Sequence, residues 1–81
     1  MPRYETKTKK SPEETIKAAI AFFGEGGLGL DAEEQEGCCA FFEGGGGFVR
    51  VTVNQEGGRT TVDLETREWD RQVKHFMQKI S

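Results

Sequence analysis

Apolar and polar positions alternate with a period of two at the start of the chain, switch to a helical period, return to two, and end helical. In Arg3–Lys9, Tyr4, Thr6 and Thr8 share one side and charges take the other, which is the pattern of a half-buried or edge strand. Ser11-Pro12-Glu13-Glu14 then reads as a helix start: Ser11 can cap, Pro12 suits the first helical position and Glu14 can close a capping box. Ile16, Ala19, Ile20 and Phe23 follow at i, i+3, i+4 and i+7, one helical face. Gly24 is expected to end the helix as its C-cap.

Three hairpins follow. Leu28, Leu30 and Ala32 alternate with Gly29, Asp31 and Glu33, and a turn at Gln35-Glu36-Gly37 has glycine where a three-residue loop needs a left-handed residue. That turn sets Leu30 opposite Phe42 and Ala32 opposite Ala40. The run Gly44–Gly47 makes the second turn and sets Phe42 opposite Val49, Ala40 opposite Val51 and Cys38 opposite Val53. A third turn at Gly57-Gly58 sets Val53 opposite Val62 and Val51 opposite Leu64. All three registers place the aliphatic side chains on one face, and a one-residue slip in any hairpin destroys that agreement.

Glu68 and Trp69 open the last helix, with Thr66 as the candidate cap. Trp69, Val73, Phe76, Met77 and Ile80 form a stripe roughly 100° wide. The predicted fold is therefore α+β. It is a two-layer sandwich of order β-α-β-β-β-β-α, with an antiparallel sheet, both helices on its aliphatic face, and residues 1–81 as a single domain.

Composition narrows the partners. Net charge is -3, and charged residues make up 31% of the chain with both signs mixed, so no basic field exists to collect nucleic acid. The cluster Lys7, Lys9 and Lys10 reads as a solvated strand end. No stretch approaches the ~20 apolar residues of a membrane span, and the polar N-terminus lacks the apolar core of a secretory signal. Neighbours in a strand point to opposite faces, so Cys38 and Cys39 are expected to stay unbonded. Cys38 would be buried and Cys39 exposed and reactive. A reducing cytoplasm follows as the natural compartment.

Candidate chemistry is sparse. Gly24-Glu25-Gly26-Gly27-Leu28-Gly29 resembles a dinucleotide loop in composition, but it runs from helix into strand, the reverse of a phosphate-binding turn. His75 lies off the apolar stripe of its helix, where an exposed imidazole without a partner does no proton chemistry. A zinc site from Cys38, Cys39 and His75 lacks ligand-pair spacing. No metal, cofactor or catalytic residue is assigned, and the chain does not read as an enzyme. The outer sheet face is more informative. Phe41 falls opposite Arg50, Arg50 opposite Glu65 and Thr52 opposite Asp63, with Cys39 and Phe48 on the same face. Cys39, Phe41, Phe48 and Arg50 are the candidate interface of a protein-interaction or homodimerising module. The alternative is a small apolar ligand or lipid held between the sheet and the last helix, lined by Phe23, Phe42, Trp69, Phe76 and Met77.

The Ser11-Pro12-Glu13-Glu14 helix start, the strands around Val49–Val53 and Val62–Leu64, and Glu68-Trp69-Asp70 leading into the last helix follow a familiar order. It resembles that of the helix-grip folds (START and polyketide-cyclase-like) and of TATA-binding-protein-like folds. The resemblance implies a curved antiparallel sheet gripping a C-terminal helix. Helix-grip proteins are longer and often hold an apolar ligand there; no functional residue carries over.

Overall fold

The computed structural model describes residues 2–35 and 37–81. The elements are β1 (Arg3–Thr8), α1 (Pro12–Phe23), β2 (Asp31–Gln35), β3 (Cys39–Gly44), β4 (Gly47–Glu56), β5 (Arg59–Arg67) and α2 (Asp70–Ile80). The strands make one antiparallel sheet in the order β1-β5-β4-β3-β2. α1 packs on β3 and β4, α2 packs on β5, and the helices touch each other. This is the α+β sandwich that the periodicities predict.

Helix α1 starts as its sequence dictates. The Glu14 N–H donates to Ser11 Oγ at 3.1 Å and the Ser11 N–H donates to Glu14 Oε1 at 3.0 Å, which satisfies two otherwise orphaned donors. Those bonds, the backbone one first, hold the Glu14 carboxyl below its ordinary pKa. A carboxylate lowered on folding stabilises the fold above its ordinary range, and that stabilisation is lost as pH falls through the lowered value. Ser11→Ala is therefore expected to cost about 1 kcal/mol in denaturant melts. Glu14→Gln is expected to remove part of the acid-side loss of stability, measured as the difference between melts at pH 7 and pH 3. The helix ends where expected, with Gly24 as its C-cap. The Gly24 backbone is extended, at φ -82. Glycine is needed there because a Cβ would sit 2.5 Å from the Ile20 carbonyl oxygen, which accepts the Gly24 N–H.

The registers of β3 with β4 and of β4 with β5 are those expected: Phe42 faces Val49, Ala40 faces Val51, Val51 faces Leu64 and Val53 faces Val62. The first hairpin is shifted by two. Ala32 lies opposite Phe42 and Glu34 opposite Ala40, while Leu30 precedes the strand. The loop ends at Cys38, one residue later than expected; Gly37 keeps the left-handed backbone at φ 88, and Glu36 lies outside the described residues. An even shift preserves the faces. It does not preserve burial: every residue of β2 is exposed, Ala32 included, because the helices cover β3, β4 and β5 and stop short of this edge. Acidic Asp31, Glu33 and Glu34 guard that edge against pairing with another chain.

The core is a continuous cluster of Ile16, Ala19 and Phe23 from α1, Val73, Phe76 and Ile80 from α2, and the aliphatic face of β3, β4 and β5. β1 closes the other edge. Its Thr8 hydroxyl donates to the Ile80 carbonyl at 2.6 Å and its Tyr4 hydroxyl to Asp70 Oδ2 at 2.7 Å, so one strand holds both ends of α2. The start of that helix is later than expected. Glu68 has a positive φ of 76, Trp69 occupies the N-cap position without a side-chain cap, and Thr66 belongs to β5. Thr66 lies three residues before the N-cap position, and its hydroxyl donates to the Phe48 carbonyl at 2.8 Å.

Candidate functional site

The sheet face turned away from the helices carries the candidate interface. Phe41 and Phe48 lie diagonally across β3 and β4, because Phe41 pairs with Arg50 and Phe48 stands two residues before it. Their rings stack at 5.7 Å between centroids and 22° between planes. The Arg50 guanidinium lies 5.5 Å from the Phe41 centroid and 6.0 Å from that of Phe48, within cation–π range of both. It also donates to Glu65 Oε1 at 3.1 Å. Both rings are half-buried and Arg50 is exposed. Sequence reasoning placed all three residues on this face, and the structure brings them into one stacked group.

One part of the face was not foreseen. β1 pairs with β5 so that Arg3 stands opposite Glu65, and Arg3 makes a two-pronged contact to Asp63 at 3.0 and 2.9 Å. That hydrogen bonding raises the Arg3 pKa further above its ordinary value. Lys7 pairs with Glu56 at 3.7 Å on the same edge. The signal in the sequence was the alternation of charges in Arg3, Glu5 and Lys7, which became legible only once the neighbour of β1 was known. These exposed pairs add little stability. They do fix a face of alternating charge around two aromatic rings.

The cysteines correct the sequence reading. Cys38 and Cys39 are joined to each other by a disulfide, and among the described residues there is no free cysteine. The expectation that they stay unbonded assumed both lie in a strand. Cys38 is instead the last residue of the turn, and β3 begins at Cys39, so the alternation of side chains does not separate the two sulfurs. Both residues are half-exposed. Selective labelling of Cys39 over a buried Cys38 therefore has no basis, and the inference from unpaired thiols to a reducing compartment loses its premise.

The residues of the expected ligand site are split. Phe23, Phe42 and Phe76 come together, with Phe23 5.3 Å from Phe42 and 5.2 Å from Phe76, and all are buried in the core. Trp69 and Met77 pack at its margin; the Trp69 indole donates to the Gly44 carbonyl at 3.0 Å. A separate open groove of about 530 Å³ runs between α1 and α2, lined by Phe22, Leu28, Phe76 and Ile80, with Lys10 and Lys79 at its rim. Phe22 lies off the predicted face of α1, and it meets Phe76 at 5.5 Å and the edge of exposed His75 at 5.7 Å. No helix among the described residues is long and apolar enough to cross a membrane. No family model matches the chain, and no curated protein or solved structure matches it.

Proposed function

We propose that the protein is an interaction module that pairs through its outer sheet face, with a second copy of itself or with another protein. The observation that carries this is the Phe41–Phe48–Arg50 stack on a sheet face that neither helix covers. Stacked aromatics beside an arginine are the composition of binding hot spots. The surrounding charges alternate in sign, with Arg3 and Arg50 beside Asp63 and Glu65, so a copy rotated by a two-fold axis meets opposite charges as readily as like ones. Phe41→Ser with Phe48→Ser is expected to keep the fold and to weaken association at least tenfold, read by sedimentation over a range of concentrations. Arg50→Ala is expected to act in the same direction with a smaller effect. A wild-type chain that is monomeric at millimolar concentration removes the homodimer form, and a double variant that unfolds removes the interface.

A second reading has its own observation. The groove between the helices offers apolar walls and two lysines, a composition suited to a medium-chain carboxylate. It deepens the expectation of an apolar ligand and moves the site from the sheet–helix core to the seam between the helices. Lys79 already lies 5.6 Å from the Phe22 centroid, which places a cation over the apolar wall. Dodecanoate is expected to bind in calorimetric titrations below its micellar concentration, and Lys10→Glu with Lys79→Glu to abolish that binding. Equal binding of dodecyltrimethylammonium would reject the charge argument and with it this reading.

A further inference from the structure

The bond between Cys38 and Cys39 closes the smallest loop that two cysteines in one chain can close. A disulfide stabilises a fold by restricting the unfolded chain, and that effect shrinks with the loop it closes. This one therefore holds almost nothing together. The fold around it is held by other means. Cys39 is paired within the β3 ladder, opposite Thr52 and Gln35. The Cys38 carbonyl accepts the Val53 N–H at 2.8 Å, and the Cys38 N–H donates to the Gln35 carbonyl at 3.4 Å. None of these hydrogen bonds involves a sulfur atom. The two thiols would remain side by side at a half-exposed corner of the sheet, anchored by backbone on both flanks.

We propose that Cys38–Cys39 is a thiol–disulfide exchange centre that accepts two electrons from small neutral or cationic thiols. A thiolate R–S⁻ attacks one of the two sulfurs. The Cys38–Cys39 bond breaks, a mixed disulfide forms, and the other cysteine leaves as a thiolate that takes a proton from water. A second R–S⁻ attacks the R-bearing sulfur of the mixed disulfide, which releases R–S–S–R and the second cysteine thiolate. The balance is one protein disulfide and two thiols converted to one protein dithiol and one small disulfide. The choice of thiol comes from charge. Glu34 stands opposite Ala40 and Glu33 opposite Phe41, on the strand paired with the cysteine segment. Strands are spaced about 5 Å apart, so both carboxylates act within one screening length of the cysteine segment, and the one cation at the same diagonal, Arg50 on β4, is already paired with Glu65. They repel a thiolate that carries a second negative charge on R and favour one whose R is cationic.

Intact-mass analysis of the oxidised full chain with iodoacetamide, before and after a thiol reductant, is the first measurement. No adducts are expected before reduction and two after it, with far- and near-ultraviolet circular dichroism unchanged. The second measurement is the reduction rate with cysteamine, 2-mercaptoethanol and 2-mercaptoethanesulfonate. Each rate is divided by the rate of the same thiol on a neutral linear disulfide peptide. Cysteamine is expected to exceed the sulfonate by about threefold or more at low salt, with the ratio falling toward one at 1 M salt. Adducts on the oxidised protein without reductant would show that no bond forms. Loss of near-ultraviolet signal on reduction would make the bond a structural staple. Equal normalised rates would remove the charge selectivity. Any of the three overturns the proposal.

Discussion

Val51→Asp is expected to abolish folding, while Thr52→Asp, one residue on, leaves a folded protein. Val51 is fully buried at the centre of the sheet, between Ala40 on β3 and Leu64 on β5. An aspartate there meets only apolar neighbours, and an unpaired buried charge costs several kcal/mol even when it takes up a proton. A domain of this length holds a total stability on the order of 4–12 kcal/mol. One such change therefore removes most or all of it. Thr52 faces the other way and is half-exposed, opposite Asp63. A second carboxylate beside Asp63, already bonded to Arg3, costs on the order of 1 kcal/mol. Urea melts followed by circular dichroism distinguish the two. Loss of fold in the Thr52 variant with retention in the Val51 variant would invert the faces of the sheet.

Gly47→Ala is also expected to be strongly destabilising, and it concerns a residue that carries no side chain. A Cβ on Gly47 would sit 2.0 Å from the Arg67 carbonyl oxygen and 2.7 Å from Glu68 Cβ. The first of these atoms is backbone, which yields only by moving β5 away from β4. The loss is expected to reach about 3 kcal/mol or more, the upper range of overpacking. It should be accompanied by a change in Trp69 fluorescence, because Gly45, two residues earlier in the same turn, lies against the Trp69 ring. Gly46 is the control. Its backbone is left-handed at φ 81 but a Cβ there meets nothing within 4 Å. Gly46→Asn, with a residue that tolerates this conformation, should cost no more than about 1 kcal/mol. Equal effects in the two variants would mean that turn conformation, not the close approach of two strands, is what glycine supplies here.

These two experiments divide what can be read along the chain from what cannot. The capping box at Ser11 and Glu14, the apolar face of α1, the registers of β3, β4 and β5, and the Phe41, Phe48 and Arg50 face all follow from contacts between residues near in sequence or joined by a short turn. Periodicity encodes such contacts directly, and that is why Val51 and Thr52 are assigned to opposite faces without a structure. The chain decides less about where elements end and what lies beside them. The start of α2 moved to Asp70 because pairing with β4 keeps the chain in β5 as far as Arg67. β2 slid by two because an even shift leaves its alternation intact, and only the reach of the helices determined that Ala32 is exposed. The place of β1 beside β5 brought Arg3 to Asp63 across 60 positions, a partnership that no local pattern records. The disulfide turned on a single boundary, since Cys38 can reach Cys39 only because the strand begins one residue later. What the sequence by itself determined is which face each side chain takes; tertiary structure decided the edges, the partners at those edges and the glycine approaches. These depend on atoms distant in the chain that hydrophobic period does not encode.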